Sequence, residues 1–256
     1  MALRVTLTGT GTSQGVPVIG CTCAVCTSSN PKDQRLRTAA LVEMDDTVIA
    51  IDTGPDFRQQ MLRARVSRLD AVLFTHPHKD HTAGLDDTRP FFFRQGAAID
   101  IYASDMVQQQ LRKEYAYAFE TLNKYPGAPD FQLHLLTEEP ISVNQIKITP
   151  IPVMHGRMPV FGFRIGNFAY ITDVNHIPKG SKELLQGLDV LVLDALRHKP
   201  HHSHFTLQEA KEVVQKLKPN QAYFTHISHL MGLHEEVNTG LPAGMALGHD
   251  GLVIEL

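Results

Sequence analysis

Cysteine is scarce in this sequence: there are three in 256 residues, Cys21, Cys23 and Cys26, within one short stretch. An odd number of clustered thiols does not form a disulfide framework, which needs partners at a distance and usually an even count. With so few cysteines, we expect the thiols to stay reduced, and we predict a cytoplasmic location. The alternative role for the thiols is a zinc-type metal site, whose fourth ligand must be a residue other than cysteine.

Long apolar runs are also missing. No run approaches the length of a membrane span, and the N-terminus lacks the charged-then-apolar pattern of a signal peptide, so we expect no membrane partner. The net charge of −3 gives no electrostatic reason to expect a general nucleic-acid binder. The hydrophobic content of 43% and the charged content of 20% are those of an ordinary globular protein.

Short β-type runs alternate with helical runs along the chain, and no linker-like segment separates them. This arrangement favours one layered α/β domain over residues 1–256. The predicted strands are residues 3–7, 39–44, 47–52, 69–75, 99–102, 131–136, 144–153, 161–165, 168–172, 188–196, 221–225 and 251–256. The predicted helices are residues 56–65, about 104–120, 182–186 and 206–219.

A dense group of metal-ligand side chains follows the predicted strand 69–75. His76, His78, Asp80 and His81 lie at the end of this strand, where side chains can converge. His76 and His78 are two residues apart, so in an extended chain they project to the same side, whereas the adjacent Asp80 and His81 diverge. The pattern therefore suits two neighbouring metal ions better than one.

Three more candidate ligands occur at the ends of predicted strands in the second half: His155, Asp173 and His226. Each of them alone is typical of a polar cap on a strand. Together with the earlier group they indicate a dinuclear site, in which an aspartate can bridge two ions while histidines fill the remaining positions.

The motif THPHKDH, with His155, Asp173 and His226, resembles the ligand motifs of the metallo-β-lactamase superfamily. The segments GTGTSQGVPVIGCTCAVC, FTHISH and LPAGMALGHDGLVI together resemble one branch, the phosphodiesterase of the carbon–phosphorus lyase pathway (PhnP type), which acts on a cyclic ribosyl phosphate. The resemblance covers essentially the whole chain. It implies an α/β fold, a four-layer αββα sandwich with the site at one edge of the two sheets, and it suggests a homodimer.

The resemblance also implies which residues hold metal. It assigns His76, His78 and His155 to one catalytic ion and Asp80, His81 and His226 to the other, with Asp173 as the bridge. It further implies a structural zinc ion held by Cys21, Cys23, Cys26 and His229, which would fix the loop over residues 9–37 beside the segment that carries His226. A closed Cys₃His set leaves no open position for a substrate.

Two neighbouring divalent ions lower the pKa of a shared water and make hydroxide available for in-line attack on phosphorus. We predict Asp80 and His204 as catalytic residues. His204 resembles a histidine that assists phosphate binding or leaving-group protonation in phosphodiesterases and tRNA 3′-processing nucleases of the superfamily. The nearby His198, His201 and His202 leave the register open. Asp52 is expected to orient a ligand rather than to bind metal.

The predicted function is a phosphodiesterase whose substrate is a small or cyclic phosphodiester, such as a ribosyl 1,2-cyclic phosphate. Imidazole and carboxylate ligands suit several metals, and we expect Mn²⁺ or Zn²⁺ at the catalytic pair and Zn²⁺ at the thiolates.

Three alternative functions stay open. They are an acyl hydrolase acting on a thioester or lactone, a tRNA 3′-processing-type nuclease, and a non-catalytic zinc protein of cofactor biosynthesis. The phosphate-facing histidine argues against the first, the lack of a Gly/Pro-rich or basic arm against the second, and the complete ligand set against the third.

Overall fold

Two seven-stranded sheets form the centre of the protein, and helices cover their outer faces. The computed structural model describes residues 2–120, 122 and 124–256. The four layers confirm the αββα sandwich expected from the sequence. Within the described residues, no helix is both long and apolar enough to cross a membrane.

The first sheet has the strand order β14-β1-β2-β3-β4-β5-β6. Its strands are β1 (Leu3–Gly9), β2 (Ala39–Met44), β3 (Thr47–Ile51), β4 (Ala71–Leu73), β5 (Ile99–Ala103), β6 (Phe131–Leu135) and β14 (Leu252–Glu255). Strands β3 to β6 run parallel, while β14, β1, β2 and β3 pair antiparallel. The helices in this half are α1 (Phe57–Ala64), α2 (Lys79–Thr82), α3 (Arg89–Gln95), α4 (Asp105–Glu114) and α5 (Ala116–Phe119).

The second sheet has the order β13-β12-β11-β10-β9-β8-β7. Its strands are β7 (Ile141–Val143), β8 (Ile146–His155), β9 (Met158–Ile165), β10 (Phe168–Ile171), β11 (Val190–Asp194), β12 (Gln221–Thr225) and β13 (Met245–Leu247). Strands β10 to β13 run parallel and β7 to β10 antiparallel. The helices in this half are α6 (Lys179–Leu184), α7 (Leu207–Leu217) and α8 (His234–Thr239).

Apolar side chains fill three layers. The inner faces of the two sheets share one core cluster, which includes Val5, Ile49, Phe163 and Tyr170. A second cluster lies between the first sheet and helices α1, α3, α4 and α5, and a third lies between the second sheet and α7. Burial of these faces removes apolar surface from water and provides the main driving force for the sandwich.

Helix α7 shows how the sequence sets an element boundary. Thr206 is its N-cap, and the Thr206 side chain accepts a hydrogen bond from the Glu209 backbone N–H while the Glu209 carboxylate accepts one from the Thr206 N–H. This capping box satisfies two backbone donors that a helix start leaves unpaired. Leu207, Ala210 and Val214 then form the buried face of the helix, in agreement with the predicted amphipathic pattern.

Some boundaries differ from the prediction. The predicted helix over about 104–120 breaks at Tyr115 into α4 and α5, where the Tyr115 hydroxyl donates to the backbone carbonyl of Thr82. Asp56, the predicted N-cap of α1, makes no capping hydrogen bond, because its carboxylate binds the backbone N–H and guanidinium of Arg37. In both cases a tertiary contact overrides the local signal. The prediction did not include the three-residue strands β7 and β13.

Candidate active site

The seven predicted ligands of the catalytic ions converge at one edge of the two sheets. The structure forms two groups of side chains whose potential ligand atoms all lie within 4.8 Å of one another. The first group is His76, His78, His155 and Asp173, and the second is Asp80, His81, Asp173 and His226. This is the division that the resemblance implied, although the binding of metal by these residues stays a prediction.

Asp173 lies between the two groups. Its Oδ1 is 3.0 Å from His226 Nδ1 and 3.3 Å from His81 Nε2, while its Oδ2 is 3.7 Å from His76 Nε2 and 3.9 Å from His155 Nε2. One carboxylate oxygen therefore faces each group. This orientation is the one that a bridging carboxylate requires.

The short helix α2 brings Asp80 and His81 into the same group. His81 Nε2 lies 3.3 Å from Asp80 Oδ2. The expectation that these neighbours diverge is wrong, because the chain turns into a helix directly after His78 and is not extended there. A second small correction concerns His155, which is the last residue of β8 and does not follow the strand.

Backbone contacts hold α2 against the end of β3. The N–H of Thr53 donates to the carbonyl of His81 at 2.8 Å, and the N–H of Gly84 donates to the carbonyl of Thr53 at 2.8 Å. A Cβ atom on Gly54 would lie 2.1 Å from the Asp80 carbonyl oxygen, so only glycine permits this approach. The stretch Ile51-Asp52-Thr53-Gly54 thus positions helix α2, which carries Asp80 and His81.

Three strand ends at the site have an unusual backbone conformation. Asp52, Asp173 and His226 all have positive φ angles, of 63°, 51° and 57°. Residues with side chains rarely adopt this left-handed region, and each instance costs of order 1–3 kcal/mol. The surrounding sheets hold these three residues in that conformation, and two of them aim a potential ligand into the site.

Hydrogen bonds fix which ring nitrogen of several histidines faces the site. The buried carboxylate of Asp52 accepts from the Thr75 N–H at 2.9 Å, from the Thr75 hydroxyl at 2.8 Å and from His81 Nδ1 at 2.7 Å. His76 Nδ1 lies 2.9 Å from Thr75 Oγ1. His155 Nδ1 donates to the Ser203 carbonyl at 2.8 Å. In each ring Nε2 is left for a metal ion, and Asp52 has the orienting position expected for it.

Two buried histidine nitrogens within the ligand groups have no hydrogen-bond partner among the described residues: His81 Nε2 and His226 Nδ1. Both lie close to carboxylate oxygens without suitable hydrogen-bond geometry. Buried nitrogens without a partner are costly, and a metal ion at these positions would satisfy them. The donor set of imidazole and carboxylate, together with these two nitrogens, fits divalent metal ions.

Charges within the site offset one another. Burial would raise the pKa of Asp173, but His226, His81 and His76 bring it well below its usual value. Burial would lower the pKa of His81, but the carboxylates of Asp173, Asp80 and Asp52 raise it well above its usual value. Asp173 therefore stays ionised, as a metal-ligating carboxylate must be.

His204 lies beside the ligand groups. Its Nε2 is 3.9 Å from Asp173 Oδ2, and its ring centroid is 4.6 Å from that of His155 and 4.7 Å from that of His226. Of the four histidines between 198 and 204, His198 instead has its Nε2 against the Met231 carbonyl at 2.8 Å, and His202 is exposed. The structure thus brings His204 to the site.

Asp194, which the sequence analysis missed, holds His204. Its Oδ2 is 3.2 Å from His204 Nδ1 and accepts from the N–H of Phe205 at 3.1 Å and of Val174 at 3.4 Å. Burial would lower the pKa of His204, but the charge of Asp194 and its hydrogen bond raise that pKa to about 9. Asp194 is the last residue of β11, so the strand-end signal that identified Asp173 could have found it.

The cysteine cluster lies on the neighbouring loop. Cys21 Sγ and Cys23 Sγ are each 3.4 Å from His229 Nδ1, and Cys26 completes the group. A tetrahedral zinc ion with ordinary Zn–S and Zn–N bonds separates sulfur and nitrogen by about 3.6 Å. The four side chains therefore fit zinc, as expected.

The segment that carries both His226 and His229 is bonded to the start of the cysteine loop. The N–H of Ile227 donates to the Thr10 carbonyl at 2.8 Å, and the N–H of Thr12 donates to the Ile227 carbonyl at 3.1 Å. The cysteine loop and the catalytic edge of the second sheet are thus joined by backbone hydrogen bonds.

Comparison with known proteins agrees with this geometry. Residues 47–227 match the β-lactamase superfamily domain. A crystal structure of a diphosphatase from the PhnP family has a TM-score of 0.94 and 45% identity, and the match covers 100% of this chain and 98% of that one. Zn²⁺-bound PqqB from Methylobacterium extorquens has the same fold, with a TM-score of 0.80 and 18% identity over 99% of this chain and 100% of that one.

An octanoyltransferase of Porphyromonas gingivalis is 39% identical over 253 residues, which are 98% of this chain. The chain spans only 51% of the length of that protein. Fold, ligand groups and relatives together indicate a metal-binding hydrolase. The chain belongs to the β-lactamase superfamily and, within it, to the PhnP family.

Proposed function

We propose that the protein is a metal-dependent phosphodiesterase that hydrolyses a small or cyclic phosphodiester. The observation that carries this proposal is the position of His204. Its Nδ1 is held by Asp194, and its Nε2 faces the carboxylate shared by the two ligand groups. A histidine fixed in this way can contact a phosphoryl oxygen or give its Nε2 proton to a leaving oxygen.

The ligand groups would hold two divalent ions, which supply Lewis acidity toward phosphoryl oxygens and lower the pKa of water to near neutrality. Residues of the chain would orient the side chains that hold the ions or meet the substrate. Asp52 fixes the orientation of His81, and Asp194 fixes that of His204. The pair of ions is proposed as Mn²⁺ or Zn²⁺, and the cysteine cluster as a structural Zn²⁺ site.

The relatives support the phosphorus chemistry unequally. The PhnP-family relative that matches over its whole length is a diphosphatase, an enzyme of phosphorus–oxygen bond hydrolysis. The octanoyltransferase matches over only half of its own length, so its name does not fix the chemistry of this chain. Acyl hydrolysis also has less need of a histidine placed to meet a phosphoryl group.

The experiment compares three substrates with one protein. Metal-free protein is reloaded with Mn²⁺ or Zn²⁺ and assayed with bis(p-nitrophenyl) phosphate, p-nitrophenyl phosphate and an octanoyl thioester. We expect metal-dependent cleavage of the diester alone, and its loss in Asp80→Ala. Turnover of the thioester without cleavage of the diester would overturn the proposal and leave an acyl hydrolase on the same ligand groups.

A further inference from the structure

Residues 10–12 are the part of the chain against which the His226 segment packs. The N–H of Ile227 donates to the Thr10 carbonyl at 2.8 Å, and the N–H of Thr12 donates to the Ile227 carbonyl at 3.1 Å. His226, the residue before Ile227, has the strained positive φ angle that places its ring in the second ligand group. The position of this ligand therefore depends on how residues 10–12 are themselves held.

The buried carboxylate of Asp250 holds Thr10. Its Oδ1 accepts from the Thr10 N–H at 2.9 Å and from the Thr10 hydroxyl at 2.8 Å. Its Oδ2 accepts from the Leu36 N–H at 2.8 Å and from Arg63 Nη1 at 3.4 Å. The Asp250 side chain is only 3% exposed. Thr10 and Leu36 lie near the two ends of the cysteine loop, so one carboxylate joins both ends.

The four donors around Asp250 require a carboxylate. An amide has one acceptor oxygen, and its NH₂ group would face N–H or O–H donors at the other position. Burial raises the pKa of Asp250 to about 6, against the hydrogen bonds from Leu36 and Thr10 that lower it. The group is therefore mainly ionised at pH 7, the state that accepts from all four donors.

Arg35 binds Thr10 from the other side and joins this contact to the second sheet. Arg35 Nη1 donates to the Thr10 hydroxyl at 2.8 Å and to the Gly248 carbonyl at 2.6 Å. The Thr10 hydroxyl thus accepts from Arg35 and donates to Asp250, which fixes its orientation. The Gly248 N–H donates to the carbonyl of Phe224, on strand β12, at 2.8 Å. The segment that carries Asp250 is therefore bonded to the strand that leads directly into the ligand.

We propose that Asp250 is a positioning residue for His226. Its carboxylate fixes residues 10–12, these fix Ile227 through two backbone hydrogen bonds, and Ile227 fixes the backbone of the ligand before it. The inference rests on the part of the proposed function that gives the second ligand group a metal ion. It assigns a role to the segment LPAGMALGHDGLVI, which supplies no member of the three ligand groups.

Metal binding to metal-free protein tests the inference without any substrate. Zn²⁺ affinities are measured by competition with a chromophoric chelator, and the wild-type protein should bind one ion for each of the three ligand groups. We expect Asp250→Asn to weaken the binding of one ion about 10- to 100-fold, the usual effect of losing a residue that orients a metal ligand. In a His226→Ala background the same change should have no further effect on that ion, because the ligand that Asp250 positions is absent.

Asp70→Asn is the matched control. The Asp70 carboxylate also accepts from a backbone N–H, that of Val48 at 2.8 Å, and from Arg68 Nε at 3.1 Å. It lies just before the start of β4, whereas the ligand motif follows the other end of that strand, so this change should leave all three affinities unaltered. Asp250→Asn protein with a lower thermal midpoint but wild-type affinities would show a purely structural role and overturn the inference. An equal further loss in the His226→Ala background would overturn it as well.

Thr10→Val provides the same test if Asp250→Asn protein does not fold. It removes the hydroxyl that donates to Asp250, and the same ion should bind about 3- to 10-fold more weakly. Thr10→Ser keeps the hydroxyl and should bind as the wild-type protein does, so equal affinities in the two variants would contradict the inference. Wild-type protein that binds a single ion would overturn the proposed catalytic pair, and the inference with it. Wild-type protein that binds three ions but cleaves no diester would overturn the proposed function alone.

Discussion

The two candidate metal-ligand regions of this protein lie side by side and are built differently. Only two residues separate His226, in the catalytic groups, from His229, in the cysteine cluster. Of the catalytic groups, His76, His81, Asp173 and His226 are each at most 2% exposed, whereas all four residues of the cysteine cluster are half-buried. One region belongs to the edge of the two sheets, and the other belongs to a loop.

The partners of the ligands differ as well. In the catalytic region Asp52, Thr75 and the Ser203 carbonyl hold the ring nitrogens that do not face the site. In the cysteine cluster the N–H of Val18 donates to Cys26 Sγ at 3.3 Å, and the Cys26 backbone and then His229 lower the pKa of Cys23 to about 6. We infer that contacts within the protein organise the catalytic region without metal, whereas an ion at the cysteine cluster would cross-link its loop. This difference predicts distinct consequences for mutations in the two regions.

The largest effect is expected from Asp173→Ala, which removes the carboxylate that faces both catalytic groups. Metal content should fall from one ion for each of the three ligand groups toward the single ion of the cysteine cluster. Activity toward bis(p-nitrophenyl) phosphate should fall by about 10³-fold, equivalent to about 4 kcal/mol. Elemental analysis and steady-state kinetics measure both, and an unchanged far-UV circular dichroism spectrum is the control. A variant that keeps its metal and its activity would contradict the bridging position.

Cys23→Ser should lower folding stability strongly and catalytic activity only slightly, the reverse of what we expect for Asp173→Ala. One ion per chain should be lost, and the thermal midpoint should fall by about 10 °C because a metal cross-link of a long loop is lost. Activity should fall only about 3- to 10-fold, because the His226 segment keeps its backbone bonds to residues 10–12. Thr22→Ser, an exposed change in the same loop, is the matched control. If activity fell as far as in Asp173→Ala, the two regions would not be separable.

Asp52→Asn tests how far the catalytic region depends on the contact that orients His81. An amide has one acceptor oxygen where a carboxylate has two, and that oxygen is a weaker acceptor. The amide therefore holds His81 Nδ1 more weakly. We expect metal affinity of the second catalytic group to fall about 10- to 100-fold and activity to recover when metal is in excess. Titration of metal-free protein, followed by diester hydrolysis, measures the shift. An activity loss that excess metal does not reverse would indicate a role for Asp52 beyond orientation.

The sequence predicted the αββα fold and the side chains that converge at the candidate site, but it predicted the element boundaries less well. The ligands occur at strand ends with recognisable spacing, and the motif resemblance fixed their grouping. The turn of α2 was not predictable from four residues, because contacts from Thr53 and Gly84 hold it. The positive φ angles of Asp52 and His226 depend on the packing of whole sheets. Local sequence gives no information on such tertiary constraints, and three-residue strands such as β13 carry too little periodic signal.

The smallest expected effect is on the pH dependence of folding stability. It comes from His234, which contacts Arg35 beside the cysteine loop. Arg35 Nη2 lies 3.0 Å from His234 Nδ1 and donates to it, and the His234 N–H donates to Asp33 at 2.7 Å. Burial, and then the charge of Arg35, lowers the pKa of His234 to about 4, below the value of about 6.5 in an unfolded chain. The unfolded state then binds more protons than the folded state between these two values, so stability is complete above pH 6.5 and declines as pH falls toward 4.

His234→Asn tests this linkage, because Asn Oδ1 can accept from Arg35 in place of Nδ1 and does not titrate. We expect the thermal midpoint of the variant to fall less steeply between pH 6.5 and 4 than that of the wild-type protein. Any metal bound by the catalytic histidines should be lost from both proteins over the same range, so the difference between the two pH profiles, and not either profile alone, reports His234. Parallel profiles would show that the cysteine-loop region owes its acid sensitivity to its metal ligands rather than to the buried Arg35–His234 contact.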